Sequence, residues 1–593
     1  MKRKTPLPLC LLIAVWLIQA VAQASTALVQ FTGADFSGGA KHIYGSDVEG
    51  EQVNCVYAQP AGAPAVMQTT FKLKAVPATP LFLHLKGRDD DGPRRCRIAI
   101  ELNGQELFTG ENEFSETRFE VRRFPLPAGL LREGENTLTI GTREKEGPLG
   151  MPPWFQVAVA AIAPEAYVLK RDLRKSFHVA LPAERKPFPE PLPPDAQPGF
   201  KFRGTKGWAW TPEQYLAEIP HLARLKLTFL MNCYISMYDM EREPWNSGRA
   251  NRWWEPLPAT KKAAYEQVVR ACQQHGIEFC FSMNPNLVSQ RVVNDENPES
   301  VDQLYQHYAW MQGLGVRWFN ISLDDSHQGI NPTTQARVVN EILRRLRAKD
   351  PGAQMIFCPT FYWGDGTATN QMNWGYDQQP YLETLARELH PDVYLFWTGE
   401  EVVGRITRAA AAKFRRISGH RLFLWDNYPV NDDIPTMHLG PLIGRDLDLC
   451  EAVDGYMSNP HCKQNEINRL PLATCADYAY NPAAYDPMRS IGQAILHLAD
   501  TQPQREVLRD LVEAYPGTLI YGSGHVGFNA VQEQFNRILA LPHTRPVARA
   551  YLDHLEQVSA RLAKEFPGRY QATKRTLDQD IQVLTRKLQA RYP

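Results

Sequence analysis

Between residues 200 and 490 the chain alternates eight times between a short apolar run and a helix-like segment, and this repeat constrains the fold more than any other feature. The apolar runs fall at 200–207, 227–235, 277–284, 316–325, 354–362, 393–398, 422–427 and 453–459, and most end in polar or aromatic residues. Helical periodicity fills 213–225, 260–275, 301–314, 334–348, 381–389 and 409–417; the seventh connection, near 439–449, is irregular, and an apolar helix near 472–478 follows the eighth run. Apolar runs of this length suit parallel strands buried on both faces. Eight βα units over about 290 residues have the size and order of a (β/α)8 TIM barrel, an α/β fold whose active sites lie at the C-terminal strand ends. The polar strand ends are therefore where chemistry is sought.

The flanks read differently. From 25 to 168, short alternating runs such as 67–73, 81–85, 96–102 and 136–140 are separated by Gly, Pro and Asp clusters, the pattern of a β-sandwich. Within it, 98–108, 126–131 and 134–140 resemble the galactose-binding-like jelly rolls appended to many secreted glycosidases. Such a module binds sugar or braces a catalytic domain, and bracing is the preferred reading. Residues 169–198 carry Pro182, Pro187, Pro189, Pro191, Pro193, Pro194 and Pro198, which predicts a semi-rigid extended linker. Residues 491–593 are expected to be helical, at 504–514, 529–539, 544–566 and 573–592, with a packing role.

Lys2, Arg3 and Lys4, an apolar run from Leu9 to Leu17 and the small residues of Ala22-Gln23-Ala24 predict a signal peptide over 1–24, and hence a secreted or periplasmic protein with no membrane association after cleavage. Hydrophobic residues at 44% and charged residues at 22% exclude a disordered chain. The 65 basic and 65 acidic residues leave no excess to neutralise phosphates, so no nucleic-acid partner is expected. Outside the leader nine cysteines remain, without C-x-x-C spacing, and Cys233, Cys280 and Cys358 fall in strands as buried thiols. Cys55 and Cys96 flank sandwich strands and are a candidate pair whose Cβ separation the sequence does not show.

The chemistry centres on Asn320-Ile-Ser-Leu-Asp-Asp-Ser-His327, an apolar run ending in two adjacent carboxylates. Paired acids at barrel strand ends serve acid/base chemistry on glycosidic bonds, where one group holds a proton and the other a charge. Alone, Asp324-Asp325 would equally suit a helix cap or a solvated loop; the end of a fourth strand favours chemistry. His275 and His327 have no partner at metal-ligand spacing, Asp89-Asp-Asp-Gly92 lacks the Glu that closes a calcium loop, and phosphate-binding and Gly-x-Ser-x-Gly motifs are missing. No metal or cofactor is expected.

Residues 199–490 resemble glycoside hydrolase family 84, the β-N-acetylglucosaminidases. The resemblance is carried by Leu323-Asp-Asp325, Phe357-Cys-Pro-Thr-Phe-Tyr-Trp-Gly364, Phe396-Trp-Thr-Gly-Glu-Glu-Val-Val403, Leu424-Trp-Asp-Asn-Tyr-Pro-Val-Asn-Asp432, Leu439-Gly-Pro-Leu-Ile-Gly-Arg445 and Met457-Ser-Asn-Pro460. It implies a retaining hydrolase in which the substrate's own acetamido oxygen attacks the anomeric carbon to form an oxazoline. Asp324 would then hold the acetamido N–H and Asp325 would be the general acid and base. Tyr362 would reach the acetamido group, Trp425 would wall the ring, Asn427 would make an amide contact, and Asp432 and Asn459 would hold sugar hydroxyls. A lone Tyr362 or Trp425 would instead read as core.

The chain departs from the family pattern at two strand ends. The first has Arg203-Gly-Thr-Lys-Gly-Trp-Ala-Trp210, so Gly204 or Gly207 would be the substrate-facing glycine. The second runs Met231-Asn-Cys-Tyr-Ile235 without the family's lysine, for which Lys206 or Asn232 would compensate. The expected substrate is an N-acetylglucosamine-containing glycan. The alternatives are a non-catalytic glycan-binding protein on a decayed barrel, and a hyaluronan-directed hydrolase. Linkage, aglycone and oligomeric state are not legible in the sequence.

Overall fold

The computed structural model describes residues 27–41, 53–57, 66–89, 95–115, 119–144, 153–165, 167, 179–326, 328–369, 376–517, 526–539 and 545–592. The expected signal peptide, the acidic cluster past Asp89 and His327 lie outside the described residues. The chain divides into two compact units, Met1–Ser176 and Phe177–Pro593.

The first unit contains strands β1 (Val29–Thr32), β2 (Ser37–Gly38), β3 (Ala40–Lys41), β4 (Asn54–Tyr57), β5 (Val66–Leu73), β6 (Phe82–Asp89), β7 (Arg97–Leu102), β8 (Gln105–Glu111), β9 (Glu120–Pro125), β10 (Gly134–Thr142) and β11 (Trp154–Ala163). They form two sheets, one ordered β3-β4-β11-β6-β9 with β1 also on β11, the other β2-β5-β10-β7-β8. In β5, Met67, Thr69, Phe71 and Leu73 are buried and the residues between them exposed, the period of two that covers one face of a sheet. Met67, Phe71 and Leu73 join Leu85, Ile100, Ile140 and Phe155 in a single core. Cys55 and Cys96 are both buried, and no disulfide joins them to each other.

The second unit holds the barrel. Strands β12 (Phe202–Thr205), β13 (Phe229–Met231), β14 (Glu278–Met283), β15 (Trp318–Ser322), β16 (Gln354–Cys358), β17 (Tyr394–Trp397), β18 (Leu422–Asp426) and β19 (Gly455–Ser458) are parallel and close on themselves, with Phe202 opposite Gly455. Helices Pro212–Arg224, Ala259–Gln274, Pro298–Gly313, Pro332–Lys349, Gln378–Glu388 and Arg408–Ser418 follow the first six strands. Local chemistry sets their ends. Thr211 and Gln214 form a reciprocal capping box with Pro212 at the first turn, and Arg408–Ser418 stops at Gly419, whose φ of 69° is the left-handed cap position. The link from β18 to β19 holds only a short 3-10 turn, Leu449–Glu451, and helix Arg469–Tyr480 follows β19.

Both strand faces are covered. Leu230, Phe319, Phe357 and Leu424 meet the surrounding helices, while Phe229, Trp318, Ile356 and Phe423 fill the interior. At the N-terminal end of the barrel the rings of Phe202 and Trp318 stand 4.6 Å apart and those of Phe229 and Phe423 5.0 Å. This aromatic plug leaves only the C-terminal mouth open for a ligand.

Of the semi-rigid linker expected over 169–198, residues 169–178 lie outside the described residues, and 179–198 are held by the second unit along their length. The Lys186 N–H donates to Gln493 Oε1 at 2.9 Å, Asn481 Nδ2 donates to Pro191 O at 3.0 Å, and Val179 is buried in the helical core. Prolines lacking N–H groups keep the segment extended, and side chains from the helices satisfy its remaining polar atoms. It is a strap laid along the second unit.

Helices Pro487–Leu498, Gln502–Ala514, Ala530–Leu539, Arg545–Glu565 and Gln571–Arg591 complete the unit. Their apolar faces, including Leu511, Leu552, Leu555, Leu577 and Leu584, share a core with Met437 and Leu439 of the β18–β19 connection. From that connection Thr436 Oγ1 donates to Phe528 O at 3.0 Å and His438 Nε2 donates to Val526 O at 2.8 Å.

Candidate active site

A cavity of about 410 Å³ opens at the C-terminal strand ends. Its polar lining is Lys206, Asp324, Asp325, Tyr362, Asn427, Asp432 and Asn459; its walls are Trp208, Tyr234, Trp245, Leu287, Val402, Trp425 and Val526 among others.

The two acids reach it because β15 ends at Ser322 and the chain turns sharply. Asp325 takes a φ of 54°, a left-handed conformation that aspartate tolerates better than most residues. Consecutive carboxylates thereby line one cavity. Tyr234 OH donates to Asp324 Oδ2 at 2.5 Å, and Asn284 Nδ2 donates to Asp324 Oδ1 at 3.2 Å and to its carbonyl at 3.1 Å. Among the described residues Asp325 Oδ1 accepts the Tyr362 hydroxyl alone, at 2.8 Å, and its open side faces the cavity.

Burial, then the charge of Asp325, push the Asp324 carboxyl up to about 6, against Lys206 and the Tyr234 hydrogen bond, which act the other way. Burial also raises Asp325, opposed by the Tyr362 hydroxyl and Lys206. Asp325 is accessible through the cavity mouth although protein surrounds its other sides. Two acids both pulled upward side by side hold a proton between them to higher pH than isolated carboxylates would. Asp324, with a donor on each oxygen, is the better seat for the charge, and Asp325 for the proton.

Asn459 Nδ2 donates to Asn427 Oδ1 at 2.9 Å, and Asn427 Nδ2 donates to Val402 O at 2.8 Å, fixing both amides. Asn459 Oδ1 is buried without a hydrogen-bond partner among the described residues, an acceptor available to a hydroxyl on a ligand. Asp432, at a φ of 47°, lines the same cavity.

Seven of the nine site residues expected from the sequence therefore meet at one cavity: Asp324, Asp325, Tyr362, Trp425, Asn427, Asp432 and Asn459. Gly204 and Asn232 are not among the lining residues. Gly204 lies within β12, where a Cβ would stand 1.8 Å from the Phe229 carbonyl oxygen; it is glycine because two strands approach there. Asn232 is fully buried, its Oδ1 accepting from the Ser282 N–H at 2.8 Å and its Nδ2 donating to Ser282 O at 3.0 Å, so its amide is consumed in tying two strand ends together. Of the two residues that could replace the missing lysine, only Lys206 lines the cavity, its Nζ 3.8 Å from the centre of the Trp425 ring. Tyr234 and Asn284 were not singled out from the sequence. Asn284 directly follows β14 and Tyr234 opens the 3-10 turn after β13, so a search of the polar residues just past the strand ends contains the signal that finds them. Nothing in the sequence marks Val526, which arrives from beyond the barrel.

Behind Trp425 sits a fully buried ion pair. Arg445 Nε donates to Asp426 Oδ2 at 3.0 Å and a second guanidinium nitrogen bonds Oδ1, while Tyr456 OH donates to Oδ2 at 2.9 Å. Arg445 also donates to Gly404 O at 3.2 Å. Arg445→Met is expected to leave the Asp426 charge buried and half-satisfied, lowering stability by about 3–5 kcal/mol. A fall in the denaturant midpoint checks this, and a midpoint equal to wild type would show the pair to be dispensable.

Residues 207–513, just over half the chain, match the family model described as beta-N-acetylglucosaminidase. Protein O-GlcNAcase from Mus musculus and from Rattus norvegicus are each 26% identical over 238 residues, 38% of this chain and 25% of theirs, so the chain spans about a quarter of the length of these curated relatives. Among solved structures, CpGH84B is similar with a TM-score of 0.53 and 19% identity over 74% of this chain and 70% of that one. A mutant of Thermobaculum terrenum O-GlcNAc hydrolase is similar at 0.53 and 20%, over 66% of this chain and 84% of that one. The two structures share the fold. The family match begins at the loop carrying the cavity's Lys206 and runs through all the later strand ends that build its walls, and the chain accordingly belongs to glycoside hydrolase family 84, the β-N-acetylglucosaminidases.

Proposed function

We propose that the protein is an exported exo- or endo-acting hydrolase that releases β-linked N-acetylglucosamine, or a closely related 2-acetamido sugar, with retention of configuration and with the sugar's acetamido group as nucleophile. The observation that carries this reading is the pair Asp324-Asp325: sequence neighbours on one cavity, separately hydrogen-bonded and both shifted upward. Neighbouring carboxylates can serve the acetamido group and the glycosidic oxygen of one sugar. They are ill placed to attack one face of the ring while protonating the other, as a conventional retaining pair must.

In the first step the acetamido oxygen bonds to the anomeric carbon as the glycosidic C–O bond breaks. The Asp325 proton passes to the leaving oxygen, and Asp324 accepts the acetamido N–H, charging the carbonyl oxygen. Asp325, now a carboxylate, then takes a proton from the water that opens the oxazoline. Tyr362 holds Asp325 in place for both transfers, Trp425 supplies an apolar wall for the ring, and Asn459 Oδ1 and Asp432 accept sugar hydroxyls.

Progressive fluorination of the substrate's acetyl methyl weakens its carbonyl as a nucleophile and is expected to lower kcat stepwise; a flat series would remove the substrate-assisted mechanism. A thiazoline-fused analogue of the bicyclic intermediate is expected to bind more tightly than N-acetylglucosamine, because an active site is complementary to the high-energy species. Export belongs to the same proposal, and rests on the basic start, apolar run and Ala-x-Ala site of residues 1–24. Amino-terminal sequencing of the protein recovered outside the cytoplasm should begin at Ser25.

A further inference from the structure

We propose that Tyr234 is the positioning residue for Asp324, and that Lys206, brought to it from the first strand end, supplies the positive charge that keeps this carboxylate ionised during turnover. The inference rests on the mechanism proposed above, in which Asp324 acts as an anion, and goes beyond it by assigning the two side chains that hold it so.

The geometry carries the argument. Asp324 is 4% exposed, so water contributes little to solvating its charge, and the protein must supply that stabilisation. Tyr234 gives a 2.5 Å hydrogen bond to Oδ2 and donates to nothing else. Its hydroxyl is a dependable donor, because burial and the adjacent Asp324 raise it well above the ordinary phenol range and keep it protonated. Lys206 is 2% exposed and makes no ion pair within 4 Å of a carboxylate among the described residues. Its ammonium sits instead 3.8 Å from the centre of the Trp425 ring and 5.2 Å from that of Tyr234, where aromatic faces stabilise a cation without neutralising it. The positive field thus remains available to the acids, and it acts to lower both Asp324 and Asp325.

One buried side chain sets the spacing of the pair. Tyr215 OH shares its one hydrogen between the carbonyls of Lys206 and Gly207, 2.9 and 2.8 Å away, and accepts the Cys233 N–H at 3.0 Å. The loop that bears Lys206 and the turn that bears Tyr234 are locked together through this hydroxyl. The other titratable groups facing Asp324 are Asp325 on its own turn, Tyr238 beside Tyr234, and Cys358 and Tyr362 from the fifth strand end. Burial raises the phenols and the thiol far enough that they stay neutral, which leaves Lys206 as the facing cation and Asp325 as the facing acid.

The test is the pH profile of kcat/KM for an activated aryl 2-acetamido-glucoside, on which protonation of the leaving group matters least. Loss of a hydrogen bond to a charged group should move the acid limb of Tyr234→Phe upward by about one to two pH units, with activity partly recovered at high pH. Lys206→Met should move the limb the same way, and Lys206→Arg should restore it. A merely structural role would lower the plateau without moving the limb. An unmoved limb in folded Tyr234→Phe and in Lys206→Met overturns the proposal, and if Tyr234→Phe does not fold the two Lys206 variants decide alone. A wild type with a flat fluorination series would instead overturn the underlying mechanism, whatever the limbs do.

Discussion

Asp325→Asn is expected to lose about 10²–10⁴-fold in kcat on alkyl or glycosyl 2-acetamido-glucosides, and far less on substrates whose aryl leaving group departs as a stable anion. An amide cannot deliver the proton that a poor leaving group needs. Where none is needed, bond cleavage proceeds through the acetamido group, which the substitution leaves untouched. A plot of log kcat against leaving-group pKa should therefore be steep for the variant and shallow for wild type. In Asp325→Ala, which vacates the place of the carboxyl, added azide or formate should enter that space and restore part of the rate of the second half-reaction on activated substrates. Equal losses on both kinds of substrate would strip Asp325 of the role. The side chain suits it: one hydroxyl donor, an open face toward the cavity, and a carboxyl raised by burial.

Asp324→Asn should show the opposite pattern, a loss of about 10²–10³-fold that persists with the best leaving groups, because the missing charge stabilises the forming ring and not the departing oxygen. The fluorination slope should fall in this variant as attack by the acetamido oxygen ceases to be assisted. Full activity on activated aryl substrates would show that Asp324 does not touch the acetamido group. The wild-type acid limb is expected near pH 6, where the Asp324 carboxyl stands. The same elevation has a sign for stability. A folded-state value above the unfolded one means that the ionised acid weakens the fold above about pH 6, and that this penalty fades as pH falls toward the unfolded value. Asp324→Asn should flatten that part of the stability profile.

The barrel was legible because eight apolar runs with helical spacers admit few other folds, and helix ends agreed to within a few residues wherever a cap was written locally, as at Thr211 or Gly419. The acid pair and the later strand ends were legible for the same reason: they are contiguous motifs at positions that the fold places on one rim. What escaped was tertiary. Asn232 and Tyr234 stand two residues apart just past β13, where strand alternation would send both the same way; Tyr234 instead opens a 3-10 turn, so the amide of the first is spent on Ser282 while the hydroxyl of the second faces Asp324. Gly204 read as a ligand-facing glycine, but the approach of β13 accounts for it. The proline-rich segment read as a semi-rigid linker with no sign of what holds it, because its partners, Gln493 and Asn481, lie some 300 residues away in the chain.

Val526 changes how this enzyme should fail. A residue from beyond the barrel forms part of the proposed active-site cavity, held there by His438, while Met437 and Leu439 of the same connection are embedded in the helical core. Barrel mouth and helical bundle are therefore coupled across one shared interior, and local opening of either exposes the other. Thermal inactivation should then coincide with the first loosening of the carboxy-terminal helices, and the barrel's own melting should come too late to matter. Limited proteolysis within those helices should extinguish turnover even where every catalytic side chain survives. For anyone trimming the protein to a minimal catalyst, the helical region is a wall of the reaction vessel.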